Sequence, residues 1–433
     1  MLPYSLPFSL PGILTSGGSG GGGGGSTTVI SGPFLALYTI RVRNSSRQLL
    51  GEVDAYRHFE CVLRHNSVST WDLELDANHP MAGYLATPGN GVIVTRTIIH
   101  ATTGLVIQSS ILLSGPIWHF ERRKQGNSLL IAGFDDTAYL SMRDAWPVPS
   151  AAVAGDFATS AYDTRSGAAE TVIRAYINYN AGPGAPVARQ ISGLTLDTDL
   201  GRGSTVHGNA RFDQMTTKDG LGIIQVLANV GGIGFKIIQS GTNLQLQFYV
   251  PSDLTATVKL ADELGTIADF TYSLDGPDLD SGGNFVVAGG QGEGTARTFV
   301  LGSDSASITK WGRIETFRDA RDTSDATTLS ERITDTLNSS AEKVSFQATL
   351  AQTDSLIYGR DFNIGDKVTC VIDGTSMTNI VQEVNIALDM SSAETVTPLV
   401  GSMNPANISE VLANFARQIN RAQARIARIE RTK

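Results

Sequence analysis

The residue types best suited to metal binding and nucleophilic catalysis are few in this chain, and their spacing limits what they can do. Six histidines are present, at His58, His65, His79, His100, His119 and His207. No two of them have the H-E-x-x-H or H-x-H spacing that brings two imidazoles to one metal ion. We therefore predict no metal site and interpret each histidine as a structural residue.

The two cysteines, Cys61 and Cys370, are far apart in the sequence. Their spacing matches neither a zinc site nor a disulfide framework, although a single disulfide between them stays an open alternative. We interpret both as small buried hydrophobic residues.

A glycine-rich loop at residues 289–294 has the composition of a phosphate-binding loop. Such a loop must lead into a helix whose N-terminus faces the anion, whereas residues 295–301 have the pattern of a strand. We therefore predict a turn between two strands.

No nucleophile elbow, a G-x-S-x-G turn between a strand and a helix, is present, and the adjacent Asp135 and Asp136 alone do not make a glycosidase. We predict that the chain is not an enzyme and uses no cofactor.

Composition and charge exclude further classes of function. The chain has 433 residues, which allows two to four domains, and a formal net charge of -9. Non-specific nucleic-acid binders need basic faces, and the one basic stretch here is Arg417 to Lys433. No run of about eighteen apolar residues is present, so we expect no stable membrane insertion.

The elements that would position these residues are mainly β. Residues 34–143 alternate with period two between turn signals, which indicates a first barrel-like β domain. Residues 144–265 contain two helical patterns, at 172–177 and 218–230, followed by two strands, which predicts a small α/β insert domain. Residues 266–402 return to the β pattern and predict a second barrel-like β domain. It is interrupted by one helix, for which Thr328 and Glu331 predict a capping box.

The two ends of the chain differ from this multidomain, mainly β body. Residues 1–33 combine an apolar segment, carrying Tyr4, Phe8, Ile13 and Leu14, with a flexible glycine-rich linker at residues 17–26. The segment contains Pro3, Pro7 and Pro11 and has no basic region, so it is a poor signal peptide. Two interpretations are open: a tail without fixed structure, or an arm that docks onto a neighbouring subunit.

Residues 403–433 predict a C-terminal helix with the spacing of a coiled coil. Its apolar residues are separated by alternating steps of four and three: Ile408, Leu412, Phe415, Ile419, Ala422, Ile426 and Ile429. β-Branched residues at both core positions favour three or more strands, so we predict that these residues form a trimerisation seam. The alternative is a single amphipathic helix packed on its own domain.

A series of short motifs runs through residues 34–430 in a fixed order. They are Arg41 and Arg43 followed by Gly51-Glu52-Val53, residues 69–75 around Trp71, Gly133-Phe134-Asp135-Asp136 with Leu140 and Arg143, residues 286–294 with Arg297, Trp311-Gly312-Arg313 with Asp319 and Arg321, and Tyr358-Gly359-Arg360-Asp361-Phe362 before residues 364–368. This order resembles the minor tail proteins of actinobacterial siphophages, which are similar to the baseplate hub proteins of other tailed phages. The glycine-rich arm departs from that pattern.

The resemblance implies a structural virion protein at the tail tip, assembled in the host cytoplasm. A homotrimer of such chains would present six similar barrels to the distal tail ring, contact the tape measure protein and other tip or fibre proteins, and hold genomic DNA only in transit. The coiled coil would lie on the three-fold axis. The alternative hypotheses are a tail-associated cell-wall hydrolase and a receptor- or carbohydrate-binding tip protein.

Overall fold

The computed structural model describes residues 32–217, 220–277, 282–321, 323–351, 356–372, 374–389 and 394–401. The protein is mostly β, with 46% of residues in strands and 18% in helices, which confirms the predicted class. Residues 1–31 of the predicted arm and the whole predicted C-terminal helix lie outside the described residues.

The first part of the chain forms eight strands and two short helices. They are β1 (Phe34–Arg43), β2 (Leu49–Val53), β3 (His58–Arg64), β4 (Thr70–Asp76), α1 (Ala82–Leu85), β5 (Gly91–His100), β6 (Val106–Arg123), β7 (Ser128–Phe134), α2 (Ala138–Ser141) and β8 (Asp144–Ala145).

The middle part contains two longer helices among six strands. They are β9 (Asp163–Ala168), α3 (Ala169–Asn180), β10 (Leu194–Leu196), β11 (Thr205–Ala210), β12 (Asp213–Gln214), α4 (Ile223–Gly231), β13 (Gly234–Ser240) and β14 (Asn243–Tyr249). Short 3-10 segments are formed by Ala154–Thr159 and Val187–Arg189.

The last part contains nine strands and two helices. These elements are β15 (Lys259–Ala261), β16 (Ile267–Asp275), β17 (Phe285–Gly289), β18 (Phe299–Ser303), α5 (Ser305–Trp311), β19 (Glu315–Asp319), α6 (Ala326–Ser340), β20 (Lys343–Leu350), β21 (Lys367–Ile372), β22 (Thr375–Asp389) and β23 (Glu394–Gly401). Two more 3-10 segments are formed by Asp262–Leu264 and Gly294–Ala296.

One sheet of 13 strands joins the first and last parts of the chain. Its order is β16-β20-β23-β22-β3-β4-β7-β6-β5-β1-β2, with β21 paired to β22 and β15 paired to β21. The junction is the antiparallel pair of β22 and β3, in which Ile386 lies opposite Cys61. No closed barrel is found in the described ranges, whereas the sequence predicts two. The alternation identified half-buried strands, but it carries no information on which strands pair across such a sequence distance.

A single hydrophobic core fills the inner face of this sheet. Phe59, Cys61 and Leu63 of β3 point inward beside Trp71 of β4, and Cys370 of β21 belongs to the same cluster. Both cysteines are buried free thiols, as predicted, and burial raises the pKa of Cys370 to about 12. A thiol held in this protonated form is a poor nucleophile.

The α/β part has a core of its own. Val172, Ile173, Tyr176 and Ile177 lie on the buried face of α3, as their spacing predicts. Helix α4 begins at Ile223 and ends at Gly231, and the following Gly232 adopts the left-handed conformation (φ 68°) that favours glycine after a helix end.

A third, small core lies between α6 and the sheet of β17, β18 and β19. The glycine-rich residues 289–294 connect the antiparallel strands β17 and β18, so the predicted strand-to-strand turn is confirmed. The predicted capping box at Thr328 is wrong. Helix α6 begins at Ala326, because the Asp325 carboxylate accepts a hydrogen bond from the backbone N–H of Thr328 and caps the helix earlier.

None of the helices in the described part of the chain combines the length and the apolar character needed to cross a bilayer.

Candidate assembly interface

The residues predicted to form the trimer seam lie outside the described ranges: Ile408, Leu412, Phe415, Ile419, Ala422, Ile426 and Ile429. The described chain ends at Gly401, the last residue of β23, which pairs with β20 on one side and β22 on the other. The described chain therefore ends inside the large sheet. The described residues form a body with buried junctions between its parts and with exposed surfaces.

A buried ionic cluster holds the two β parts together. Arg96 of β5 donates hydrogen bonds to the Glu394 carboxylate of β23 at 2.5 and 3.0 Å and to the backbone carbonyl of Tyr358 at 2.8 Å. The Tyr38 hydroxyl donates a further bond to Glu394. Burial opposes the charge of Arg96, but the hydrogen bonds and charges of Glu394 and Tyr38 together outweigh it and raise the pKa of the guanidinium above its ordinary value. The first and last parts of the chain are thus joined by side chains as well as by strand pairing.

A second buried cluster joins the first β part to the α/β part. Arg43 donates two hydrogen bonds to the Asp136 carboxylate, at 2.5 and 2.9 Å, and a third to the Gln239 side chain of β13 at 2.7 Å. The Ser114 hydroxyl donates to Asp136 at 2.6 Å and accepts from the backbone N–H of Gln239 at 2.7 Å. These paired buried groups fix the position of the α/β part.

The adjacent carboxyls Asp135 and Asp136 have different surroundings. Asp136 is held by Arg43, whereas burial raises the pKa of Asp135 to about 7. One oxygen of Asp135, Oδ1, is buried without a hydrogen-bond partner. Asp135 lines a cavity together with Lys236 and Tyr249, whereas Asp136 is held by its ion pair with Arg43.

His65 also lies at the contact between the first β part and the α/β part. Its Nδ1 lies 3.0 Å from the Tyr249 hydroxyl of β14, and burial lowers the pKa of the imidazole to about 4. Neighbouring Asn66 donates to the backbone carbonyl of Ile233 at 2.9 Å and accepts from the backbone N–H of Phe235 at 3.1 Å. A neutral, hydrogen-bonded histidine at a domain contact is structural, as its isolated position in the sequence predicts.

Sequence spacing misses one cluster of potential metal ligands. One side-chain ligand atom each from His58, Glu60 and Asp72 lies within 4.8 Å of the others on the outer face of β3 and β4. Glu60 stands directly opposite Asp72 in the sheet register, which no sequence motif encodes. Burial, followed by the charge of Glu60, raises the pKa of Asp72. Three half-buried side chains of this kind do not by themselves define a metal centre.

The same outer face carries an exposed aromatic side chain. Trp118 of β6 is 62% exposed and meets the ring of Phe134 edge-on at 5.7 Å. Beside them lies an open depression of about 690 Å³, lined by Val68, Phe134, Ala138 and Met142 with Arg64 and Glu383 among its polar residues. This surface combines apolar and charged groups that suit contact with another molecule.

Edge strand β16 presents an uncovered apolar surface. β16 pairs only with β20, so its other backbone edge is open among the described strands. Phe270, Tyr272 and Leu274 occupy alternate positions of the strand and are 37%, 46% and 38% exposed. Tyr272 stands opposite the fully buried Phe346, so this face continues the inner core face of the sheet. An open edge with an apolar face can pair with a further strand.

Residues 39–402 match the family model described as Siphovirus ReqiPepy6 Gp37-like protein. The chain belongs to this siphovirus Gp37-like tail protein family. The match covers both β parts and the α/β part between them. No curated protein sequence matches this chain.

Three solved structures are similar to the Gp37-like chain. The prophage MuSo2 43 kDa tail protein from Shewanella oneidensis is 12% identical over 84% of this chain and 97% of its own, with a TM-score of 0.47. Prophage tail protein gp18 from Listeria monocytogenes is 9% identical over 88% and 99%, with a TM-score of 0.49. The tail protein from Neisseria meningitidis is 12% identical over 85% and 96%, with a TM-score of 0.45.

Proposed function

We propose that this Gp37-like chain is a structural virion protein that forms the trimeric hub of a siphophage tail tip. The hub joins the distal tail ring to the central tip and forms the exit of the tail tube for the tape measure protein and DNA. The observation that carries the proposal is the uncovered apolar edge strand β16, with Phe270, Tyr272 and Leu274 exposed at the end of a 13-stranded sheet. An open apolar edge of this kind favours pairing with a strand of another chain.

The proposed domains are residues 34–143, 144–265 and 266–402, with the arm before them and the C-terminal helix after them. The α/β domain is supported by its separate hydrophobic core. The shared sheet supports a closer union of the two β domains than two independent barrels would have. A rigid union suits a ring subunit, because a closed ring needs its two interfaces at a fixed angle.

The partners of the hub follow from its proposed place. A trimer would meet the distal tail ring on one side and tip or fibre proteins on the other, and would enclose the tape measure protein. The net charge of -9 supports passage of DNA without retention, because a basic surface would hold the phosphates. The proposed location is the virion tail tip, with assembly in the host cytoplasm.

Light scattering on the purified full chain tests the trimer. We expect a mass of three times 45.9 kDa, and a loss of the trimer in the double variant Ile419→Asp, Ile426→Asp, which places charges in the proposed seam. The matched control is Arg421→Gln, Arg428→Gln on the opposite face of the predicted helix, which should remain trimeric. A monomeric wild-type chain contradicts the hub, and a trimeric seam variant contradicts the coiled coil.

A second candidate, a receptor- or carbohydrate-binding tip protein, is favoured by the exposed Trp118 beside Phe134. Aromatic faces are common platforms for sugar rings. Glycan-array binding that is lost in Trp118→Ala would support it. The third possibility, a tail-associated cell-wall hydrolase, is tested by a zymogram on host cell wall, in which a cleared band would give the chain an enzymatic function.

A further inference from the structure

Strand β13 is bonded to the first β part through its backbone. Three of its N–H groups donate hydrogen bonds to side-chain oxygens of that part: Phe235 to Asn66 at 3.1 Å, Ile237 to Thr137 at 3.2 Å and Gln239 to Ser114 at 2.7 Å. Successive N–H groups of a strand point to opposite edges, so those of Lys236 and Ile238 face β14, with which β13 pairs. The first set of amides therefore reports on the junction between the two parts, and the second set reports on the α/β part alone.

A cavity of about 100 Å³ lies at this junction. Asp135 of the first β part lines it together with Lys236 and Tyr249 of the α/β part and Asn363 of the last part. Residues 235–238 of β13 form one of its walls. Separating β13 from the first β part would therefore open the cavity and bring water to Asp135.

Asp135 is the carboxyl in the wall of this cavity, and its charge is poorly compensated. The residue is only 7% exposed, and its Oδ1 atom has no hydrogen-bond partner in the described part of the chain. Burial raises the pKa of the carboxyl to about 7, against the opposing effect of hydrogen bonds from Ser69 and Thr137. A buried carboxylate with an unpaired oxygen costs more free energy than a protonated carboxyl does. The closed cavity therefore favours the protonated form of Asp135.

The arginines and tyrosines around the cavity do not change charge near neutral pH. Arg64 and Arg96 stay protonated, as arginine does at all ordinary pH values, and each is ion-paired with a glutamate. Burial raises the pKa of Tyr249 and that of Tyr358, so both hydroxyls also keep their protons. These four side chains therefore contribute no change of charge to the cavity between pH 5 and pH 8.

Three further groups complete the surroundings of Asp135. Asp136, its neighbour in the chain, is ion-paired with Arg43. Burial lowers the pKa of His65, which contacts Tyr249, to about 4, so this imidazole is neutral above pH 5. Burial also lowers the pKa of Lys236, and the nearby Asp135 charge acts in the opposite direction. Lys236 is thus the cation in the cavity wall that can respond to ionisation of Asp135.

We propose that Asp135 is a proton-sensitive latch between the first β part and the α/β part. With its carboxyl protonated, β13 stays seated on the first β part, whereas loss of the proton favours the opened, hydrated cavity and loosens this contact. The latch acts within one chain, so it is independent of the proposed hub function.

The direction and the pH range of the response follow from proton linkage. The pKa of Asp135 is about 7 in the closed junction, and opening returns it to the value of about 4 that a hydrated aspartate has. The proton therefore binds preferentially to the closed form. Opening should become about tenfold more frequent for each pH unit between about pH 5 and pH 7, and it should level off above about pH 7.

Hydrogen exchange of single amides, followed by NMR on the full chain from pH 5 to pH 8, tests the latch. After correction for the intrinsic exchange rate, protection of the Phe235, Ile237 and Gln239 amides should fall about tenfold per pH unit up to about pH 7. The amides of Lys236 and Ile238 should not follow this fall, because they report on the α/β part alone. Equal pH dependence in the two sets would overturn the proposal.

Two substitutions of aspartate by asparagine form a matched pair. Asp135→Asn removes the titrating group and should make protection of the junction amides independent of pH. Asp72→Asn is the control, because Asp72 is also a half-buried carboxyl with a raised pKa but lies on the outer face of β4. It should leave the fall in protection unchanged. A fall that persists in Asp135→Asn would overturn the latch, even if the variant is less stable overall.

Lys236→Met tests the part played by the ammonium in the cavity wall. Without this positive charge, the Asp135 carboxylate is less favourable in the closed cavity, so its folded pKa should rise further. The pH at which protection of the junction amides levels off should therefore move above about 7. The same exchange measurement detects the move, and an unchanged pH would contradict the role assigned to Lys236.

Discussion

At the scale of single residues, buried charged side chains form ion pairs at the junctions between parts of the chain. Arg43 with Asp136 is a nearly fully buried pair, and the buried Arg96 pairs with the partly buried Glu394; both pairs connect parts of the chain far apart in sequence. Such pairs add little net stability compared with apolar residues of the same size, but removing one partner leaves a buried charge without compensation. They therefore specify which surfaces meet.

Glu394→Ala should destabilise the protein by about 3–5 kcal/mol, because it leaves the buried Arg96 guanidinium without its carboxylate partner. Urea denaturation followed by fluorescence measures the shift of the midpoint. The matched control is Glu383→Ala, which removes a half-exposed ion pair with Arg64 and should cost at most about 1 kcal/mol. Equal shifts in the two variants would contradict the structural role of the Arg96 cluster.

Asp135 should make stability depend on pH in the direction opposite to that of an ordinary ion-paired carboxylate. Its folded pKa of about 7 lies above the unfolded value of about 4, so the folded state binds more protons between these values. The contribution of Asp135 to the unfolding free energy is complete below about pH 4 and is lost as the pH rises through about 7. In Asp135→Asn, denaturation midpoints measured from pH 4 to pH 8 should lack this decline. A decline of the same size in the variant would assign it to another group.

At the scale of elements, the space around each glycine decides whether its strand or helix tolerates a larger side chain there. A Cβ atom on Gly133 of β7 would lie 2.2 Å from the backbone oxygen of Pro116 and 2.6 Å from the Trp71 ring. We expect Gly133→Ala to cost about 1–3 kcal/mol, because the backbone oxygen cannot move aside cheaply. Thermal unfolding measures the loss. Gly83→Ala in α1 is the control, since no atom lies within 4 Å of the added Cβ, and it should be neutral or slightly stabilising.

The elements also show what sequence reasoning can and cannot reach. The buried face of α3 follows from the spacing of Val172, Ile173, Tyr176 and Ile177, because helical periodicity is a local property. Helix α6 begins earlier than Thr328 predicts, because Asp325 offers a competing cap. The cluster of His58, Glu60 and Asp72 cannot be predicted from the sequence, since it depends on the register of two strands. The junction residues Arg96 and Glu394 likewise belong to no motif, because they are brought together only by the assembled sheet.

At the scale of the whole molecule, the large sheet leaves the edge of β16 open among the described strands. Phe270, Tyr272 and Leu274 of this strand are uncovered. An open edge with an apolar face favours pairing with a further strand.

The pairing of β22 with β3 also has a consequence for the time course of folding. Because β3 pairs with β22, which lies more than half the chain away in sequence, this part of the sheet cannot form before β22 has been synthesised. The α/β part, whose core is drawn from residues 140–248, can pack before then. Nascent chains therefore pass through an interval in which β3 and β4 lack one neighbour and are exposed to wrong pairing. The length of that interval is set by the rate of translation through the second half of the gene.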